Sequence, residues 1–150
     1  MRLKVPAAVM LTFIISCQAL AQTKAPAKKT APASSTASKS GVAAGKAVYM
    51  QYCVSCHQPD GGGVQNMNPS LINTSYVLGP KPKLISIVLN GLSRQEIEGE
   101  TYTNVMAPFS SVLNDQQIAD VLTYIRKSFG NKASSVTPAE VKTARGAKGK

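Results

Sequence analysis

The residues with the clearest chemical meaning are Cys53, Cys56 and His57, which form a Cys-x-x-Cys-His pentapeptide. Two thiols at this spacing can form thioether bonds to the two vinyl groups of a porphyrin, and the adjacent imidazole can bind the iron from one face. This pattern is the attachment signature of c-type haem. The sequence therefore predicts one haem c, bound covalently through Cys53 and Cys56, with His57 as the proximal iron ligand.

Two other uses of a Cys-x-x-Cys pair fit the sequence less well. A thioredoxin-like redox pair needs a strand–helix–strand context, and no convincing run of alternating strand residues is present. A structural zinc site needs four ligands. Cys17 is the one other cysteine of the 150-residue chain, and His57 is its only histidine. Haem attachment is therefore the favoured interpretation.

Methionine sulfur is the available ligand for the opposite face of the iron. After residue 21 the chain contains Met50, Met67 and Met106. Met50 lies before the motif, where a packing role is the simplest, and Met67 follows His57 too closely to cross easily to the other face. Met106 is 49 residues downstream of His57, in a loop, and is the predicted distal ligand. The alternative is a core-filling Met106 with the sixth position open or held by another group.

Three helices are predicted to position these residues. The first runs from about Val42 to Ser55 and ends in the motif. The second begins near Pro82 and stops at Gly91. The third begins at Asn114, with Gln117 completing a capping box. A loop containing Glu96, Glu98 and Glu100 is expected between the second helix and Met106. The apolar positions that recur at helical spacing in the second and third helices are Leu84, Ile85, Val88, Leu89, Ile118, Val121, Leu122, Ile125 and Phe129.

The composition divides the chain into four parts. Residues 1–21 have a basic start, an apolar run and an Ala-x-Ala site, and are predicted to be an export signal peptide. Residues 22–40 are rich in Ala, Pro, Ser, Thr and Lys, and are predicted to be a disordered linker. Residues 41–131 form the compact domain, and residues 132–150 a basic flexible tail. A periplasmic location is expected, since c-type haem is normally attached outside the cytoplasm.

Cys17 leaves a second route of export open. The residues from Ile14 to Cys17 resemble a bacterial lipobox, in which cleavage precedes a cysteine that then carries lipid. The polar stretch from Ser16 to Ala21 favours cleavage after Ala21, which discards Cys17. A membrane-anchored lipoprotein is the alternative.

The formal charge of +10 belongs to the extensions and not to the domain. Residues 41–131 carry six basic and six acidic side chains, whereas residues 22–40 carry four lysines and no acid. Residues 132–150 carry five basic side chains against Glu140. A nucleic-acid partner is therefore not expected. The basic extensions can attract a membrane surface or an acidic partner, or serve only as solubilising tethers.

Across residues 41–131 the chain resembles the class I cytochromes c. The family pattern places a glycine and an aromatic residue eight and four residues before the first cysteine, here Gly45 and Tyr49. It also places a proline twelve residues after the histidine and a leucine two further on, here Pro69 and Leu71. The resemblance implies an all-α cytochrome c fold, with three or more helices packed round one haem.

The resemblance also implies roles for single residues and a function. The carbonyl of Pro69 is expected to accept the N–H of His57, and Gly45 to let the last helix approach closely. One departure from the family is Ala107, which separates Met106 from Pro108.

The stretch from Met106 to Asn131 is similar to bacterial cytochrome c domains that work with periplasmic dehydrogenases or oxidases. The implied function is one-electron transfer with a dehydrogenase, an oxidase or another cytochrome as partner, and not catalysis. A haem enzyme, or a redox or gas sensor with a displaceable or absent Met106, is the alternative.

Overall fold

The computed structural model describes residues 35–147, which belong to one compact unit. The predicted signal peptide, Cys17 and residues 22–34 of the predicted linker lie outside the described residues. Side chains are described from residue 41 onwards, except that of Gln95. None of the described helices is both long and apolar enough to cross a membrane.

The described residues form six helices and one small hairpin, which confirms the predicted all-α fold class. The elements in chain order are α1 (Ser35–Tyr52), α2 (Val54–His57), α3 (Ser75–Leu78), α4 (Lys81–Asn90), β1 (Gln95–Ile97), β2 (Glu100–Tyr102), α5 (Asp115–Lys127) and α6 (Pro138–Gly146).

The predicted limits of the second helix and the predicted start of the third are confirmed. Pro82 lies in the first turn of α4, and Gly91 caps its C-terminus with φ of 77°. Asn114 and Gln117 form a reciprocal capping box at the start of α5. Because one face of each helix is apolar, α4 and α5 supply most of a single core. Its buried side chains in these helices are Leu84, Ile85, Val88, Leu89, Ile118, Ala119, Val121, Leu122, Tyr124 and Ile125.

Helices α1 and α5 cross in direct contact at Gly45. A Cβ atom at this position would lie 2.0 Å from the carbonyl oxygen of Asp120 and 2.8 Å from Cβ of Tyr124. One turn later the buried ring of Tyr49 packs between Tyr124 and Phe129, with both centroid distances 5.4 Å. This crossing holds α1 against α5 and thereby positions Cys53, which directly follows α1.

Gly45→Ala is expected to lower the free energy of unfolding by about 3 kcal/mol, the upper part of the range for overpacking. The reason is that a methyl group can be admitted only if the backbones of α1 and α5 separate. Denaturant unfolding of the purified protein measures the effect. Gly146→Ala is the matched control, because a Cβ there meets no atom within 4 Å. Equal stabilities of the two variants would show that the crossing is not tightly packed.

The first helix begins earlier than predicted. The linker prediction is wrong for residues 35–40, which form the first part of α1. No proline or glycine interrupts residues 33–40, and extending a helix that has already formed costs little. The first helix ends at Tyr52, and after Cys53 the helix α2 forms a separate turn.

The region of Glu96, Glu98 and Glu100 also differs from the predicted loop. It forms an antiparallel hairpin in which Ile97 pairs with Glu100. The three glutamates are exposed and Ile97 is buried. Each strand has only three residues, too few for alternation to be recognised in the sequence.

The prediction of a flexible tail over residues 132–150 is wrong for residues 132–147. Val136 and Val141 are buried in the core, and α6 starts with a capping box between Thr137 and Glu140. Glu140 also forms an ion pair of 2.8 Å with Lys81 of α4. Two valines and a few polar contacts are enough to dock this helix, although its overall composition is weakly apolar.

Candidate haem site

The motif residues lie in a single helical turn at the end of α1. The N–H groups of Cys56 and His57 both donate to the carbonyl oxygen of Cys53, at 3.2 and 2.9 Å. Neither cysteine of the motif takes part in a disulfide; Cys53 is half-buried and Cys56 is exposed. This turn places two thiols and one imidazole next to each other, as attachment of a porphyrin along one edge requires.

The ring of His57 is oriented by Pro69. Its Nδ1–H donates to the carbonyl oxygen of Pro69 at 2.9 Å, which leaves Nε2 as the atom able to bind a metal. Burial lowers the pKa of His57, and the hydrogen bond to Pro69 opposes this only in part. The imidazole is therefore held neutral, in the form that a metal requires.

The thiol of Cys53 is not activated as a redox nucleophile. Burial, with a smaller contribution from Cys56, raises its pKa to about 11. Cys-x-x-Cys pairs that exchange disulfides instead have a lowered pKa at the attacking cysteine. The surroundings of Cys53 thus differ from those of the thioredoxin-like alternative.

A cavity of about 270 Å³ opens beside the motif, and an apolar cavity of about 70 Å³ shares part of its lining. Cys56 lies on the wall of the first cavity, whereas the second, the inner cavity, reaches the core side chains of α4 and α5. The residues that line both cavities are Cys53, His57, Pro69, Leu92, Ile97, Met106 and Phe109. No buried side-chain nitrogen or oxygen among the described residues lacks a hydrogen-bond partner. The space suits a large, mostly apolar ligand.

Met106 also lines these cavities, although it lies 49 residues after His57 in the sequence. Its N–H donates to the carbonyl oxygen of Leu92 at 2.8 Å, and the N–H of Leu92 donates to the carbonyl oxygen of Met106 at 3.0 Å. Gly91 makes the approach possible, because a Cβ there would lie 2.4 Å from the Met106 carbonyl oxygen. Met67 and Met50 are 47% and 49% exposed and line neither cavity.

Part of the cavity wall comes from residues that no sequence motif identifies. Arg94, Ile97 and Tyr102, in or beside the hairpin, line the first cavity together with Asn104. No local signal identifies them, because they reach the cavity only once the hairpin has folded against it. Within residues 35–147, no cluster of three or more His, Cys, Asp or Glu side chains could hold a metal ion by itself.

The Cytochrome c family profile matches residues 42–129. Since this is more than half of the chain, the protein belongs to the cytochrome c family, and the predicted resemblance is confirmed.

Among the curated relatives is the cytochrome c subunit of the quinone-dependent alcohol dehydrogenase of Gluconacetobacter polyoxogenes. It is 37% identical over 99 residues, which cover 65% of this chain and 21% of the relative. The cytochrome c subunit of gluconate 2-dehydrogenase from Pantoea cypripedii is 38% identical over 98 residues, 64% of this chain and 22% of the relative. The chain therefore spans about a fifth of the length of these subunits.

A smaller relative matches over most of its own length. Cytochrome c-552 of Thermus thermophilus is 36% identical over 94 residues, which cover 59% of this chain and 70% of the relative. Membership of the family implies a covalently bound haem c. The residues present fit this group, because Cys53, Cys56, His57 and Met106 all line one cavity with mostly apolar walls.

Proposed function

We propose that this protein is an exported one-electron carrier with one haem c. In this proposal Cys53 and Cys56 hold the haem, and His57 and Met106 are its axial ligands. The observation that carries the proposal is that His57, fixed by Pro69, and Met106, fixed by Leu92, line the same cavity as the two thiols.

The haem supplies a reversible one-electron change at its iron. The two cysteines keep it attached through repeated cycles. His57 donates one hydrogen bond to Pro69 and so presents a fixed imidazole nitrogen. The sulfur of Met106 favours ferrous iron and raises the reduction potential above that of a bis-histidine site.

The surroundings of the ligands support transfer of electrons without a further reaction. Apolar side chains of α4 and α5 line much of the inner cavity. Hydrogen bonds to the carbonyl oxygens of Leu92 and Pro69 hold the backbone of Met106 and the ring of His57. Ligands on both faces leave no vacant position for oxygen or peroxide. An open site would instead support the alternative of a haem enzyme or a gas sensor.

The partner is proposed to be a redox protein, such as a dehydrogenase, an oxidase or another cytochrome. Two of the relatives described above are cytochrome c subunits of dehydrogenases, which supports a dehydrogenase as electron donor. Cys56 is exposed, so a haem held through this residue would be accessible from the surface of the domain. Electrons can then be exchanged there with a docked protein.

Spectroelectrochemical titration of the purified full-length protein tests this function. We expect a reversible one-electron transition and no binding of carbon monoxide to the reduced form on mixing. Rapid carbon monoxide binding by the wild-type protein would contradict the carrier model and favour the sensor or enzyme alternative.

Export is tested separately by fractionation of cells that express the full chain. We expect the protein in the soluble periplasmic fraction, with a mature N-terminus at Gln22. Cys17→Ser is the matched variant, because it removes the lipid acceptor and leaves the site after Ala21 intact. If the substitution releases the protein from the membrane fraction, the lipoprotein alternative is correct.

A further inference from the structure

Arg145 of α6 is bonded to the segment that follows Met106. Its Nε donates to the carboxylate of Asp115 at 2.7 Å, and Nη2 donates to the carbonyl oxygen of Leu113 at 3.0 Å. Nη1 donates to the carbonyl oxygen of Ser110. All three guanidinium nitrogens therefore have acceptors within residues 110–115, which join the methionine loop to the start of α5.

The first half of the methionine loop is anchored through its own backbone. Met106 pairs with Leu92, and the N–H of Phe109 donates to the carbonyl oxygen of Val88 at 3.0 Å. The second half is a turn in which Leu113 N–H donates to the carbonyl oxygen of Phe109 at 2.9 Å. Arg145 is the side chain that ties the far side of this turn to another helix.

The turn is in direct contact with the cavity. Phe109 and Leu113 at its two ends line the inner cavity together with Met106. The side chain of Arg145 is 31% exposed and that of Asp115 29%, so their ion pair is partly shielded from water. Displacement of residues 110–113 would therefore move Leu113, which lines the inner cavity together with the methionine.

We propose that Arg145 is a positioning residue for Met106. By holding the turn of residues 110–113 against α6, it keeps the methionine loop closed and opposes departure of the sulfur from the iron. This role rests on the proposed ligation by His57 and Met106. Helix α6 lies outside residues 42–129, which the Cytochrome c family profile matches, so the role is a property of this chain's C-terminal extension.

Imidazole titration of the oxidised holoprotein tests the role, because imidazole binds only where the methionine has left. The apparent affinity is proportional to the fraction of molecules with an open site. We expect Arg145→Ala to tighten imidazole binding about tenfold, equivalent to about 1.4 kcal/mol. Lys81→Ala is the matched control: it removes the ion pair of α6 with α4 and leaves the turn untouched. Its effect should be less than about twofold on the same scale.

Amide hydrogen exchange provides a readout that does not depend on the iron. Exchange of the N–H groups of Val112 and Leu113, both bonded to Phe109, should accelerate in Arg145→Ala and not in Lys81→Ala. Arg145→Lys keeps the positive charge but cannot reach three acceptors at once, so an intermediate gain in imidazole affinity is expected. If Arg145→Ala does not fold, Arg145→Lys is compared with Lys81→Ala in its place.

Equal imidazole affinities of Arg145→Ala and Lys81→Ala, at equal stability towards urea, would assign any change to general docking of α6. This result would overturn the proposal. A wild-type protein without the far-red absorption band of methionine-ligated ferric haem would instead refute the ligation itself. The two failures are therefore distinguishable.

Discussion

Met106→Ala is expected to abolish the far-red absorption band of the ferric protein and to lower its reduction potential. The physical reason is the loss of the methionine sulfur as a ligand, because this sulfur favours ferrous iron. Axial ligation sets haem potentials over a range of roughly 0.8 V, so a fall on the order of 0.1 V or more is expected. Absorption spectroscopy and potentiometry measure the two effects.

The same substitution should open the iron to external ligands. The affinity of the reduced protein for carbon monoxide should rise on the order of 100-fold, as when the binding-competent fraction increases from about 1% to all molecules. Met67→Ala is the matched control, because Met67 is exposed and lies outside both cavities. Loss of the far-red band in Met67→Ala and not in Met106→Ala would identify Met67 as the ligand and contradict the prediction.

Replacing both Cys53 and Cys56 with serine is expected to abolish covalent attachment. Haem should then pass into an acidified organic solvent and no longer migrate with the denatured polypeptide. The single variants, Cys53→Ser and Cys56→Ser, each keep one thioether and should retain haem on the chain. Retention of covalent haem by the double variant would contradict the attachment.

The double variant should also be much less stable. Without its thioether bonds the haem can dissociate when the chain unfolds. We expect a loss similar to that of a native disulfide, about 3 kcal/mol, which corresponds to roughly 15 °C in the melting temperature of a domain of this size. Circular dichroism of the haem-loaded variants measures this loss. Cys17 lies outside the motif. Cys17→Ser is therefore expected to leave both the covalent attachment of haem and the melting temperature unchanged.

The motif and the main helices could be predicted because their signals are local. Cys53, Cys56 and His57 are adjacent in sequence, and the capping box at Asn114 is a pattern of four residues. The contact between His57 and Pro69 was expected only through the resemblance to a family, since a spacing of twelve residues specifies no geometry by itself. The structure places these two groups 2.9 Å apart.

The elements that were missed depend on tertiary contacts. Helix α6 has a capping box from Thr137 to Glu140 that is visible in the sequence, but its docking depends on Val136 and Val141 fitting one core. Arg145 was counted as part of a basic extension, although the folded chain uses its charge internally. Partners separated by thirty or more residues leave no periodic pattern, so composition alone favoured a flexible tail.

The hairpin shows a different limit. Ile97 is a single buried residue among exposed glutamates, and one apolar side chain does not define a strand. Its position in the wall of the cavity follows from the antiparallel pairing of Gln95–Ile97 with Glu100–Tyr102. Propensity cannot specify such a pairing when other residues of the loop are equally polar.

The ligation by His57 and Met106 is tested most directly by NMR of the reduced wild-type protein with ¹³C-labelled methionine methyl groups. A methyl group bonded through sulfur to the iron lies over the porphyrin and is shifted far upfield by its ring current. Cleavage after Ala21, as predicted, would remove Met1 and Met10 and leave Met50, Met67 and Met106 in the chain. We predict one strongly shifted methyl resonance, absent from Met106→Ala, and two at ordinary positions. Three resonances at ordinary positions would contradict the account.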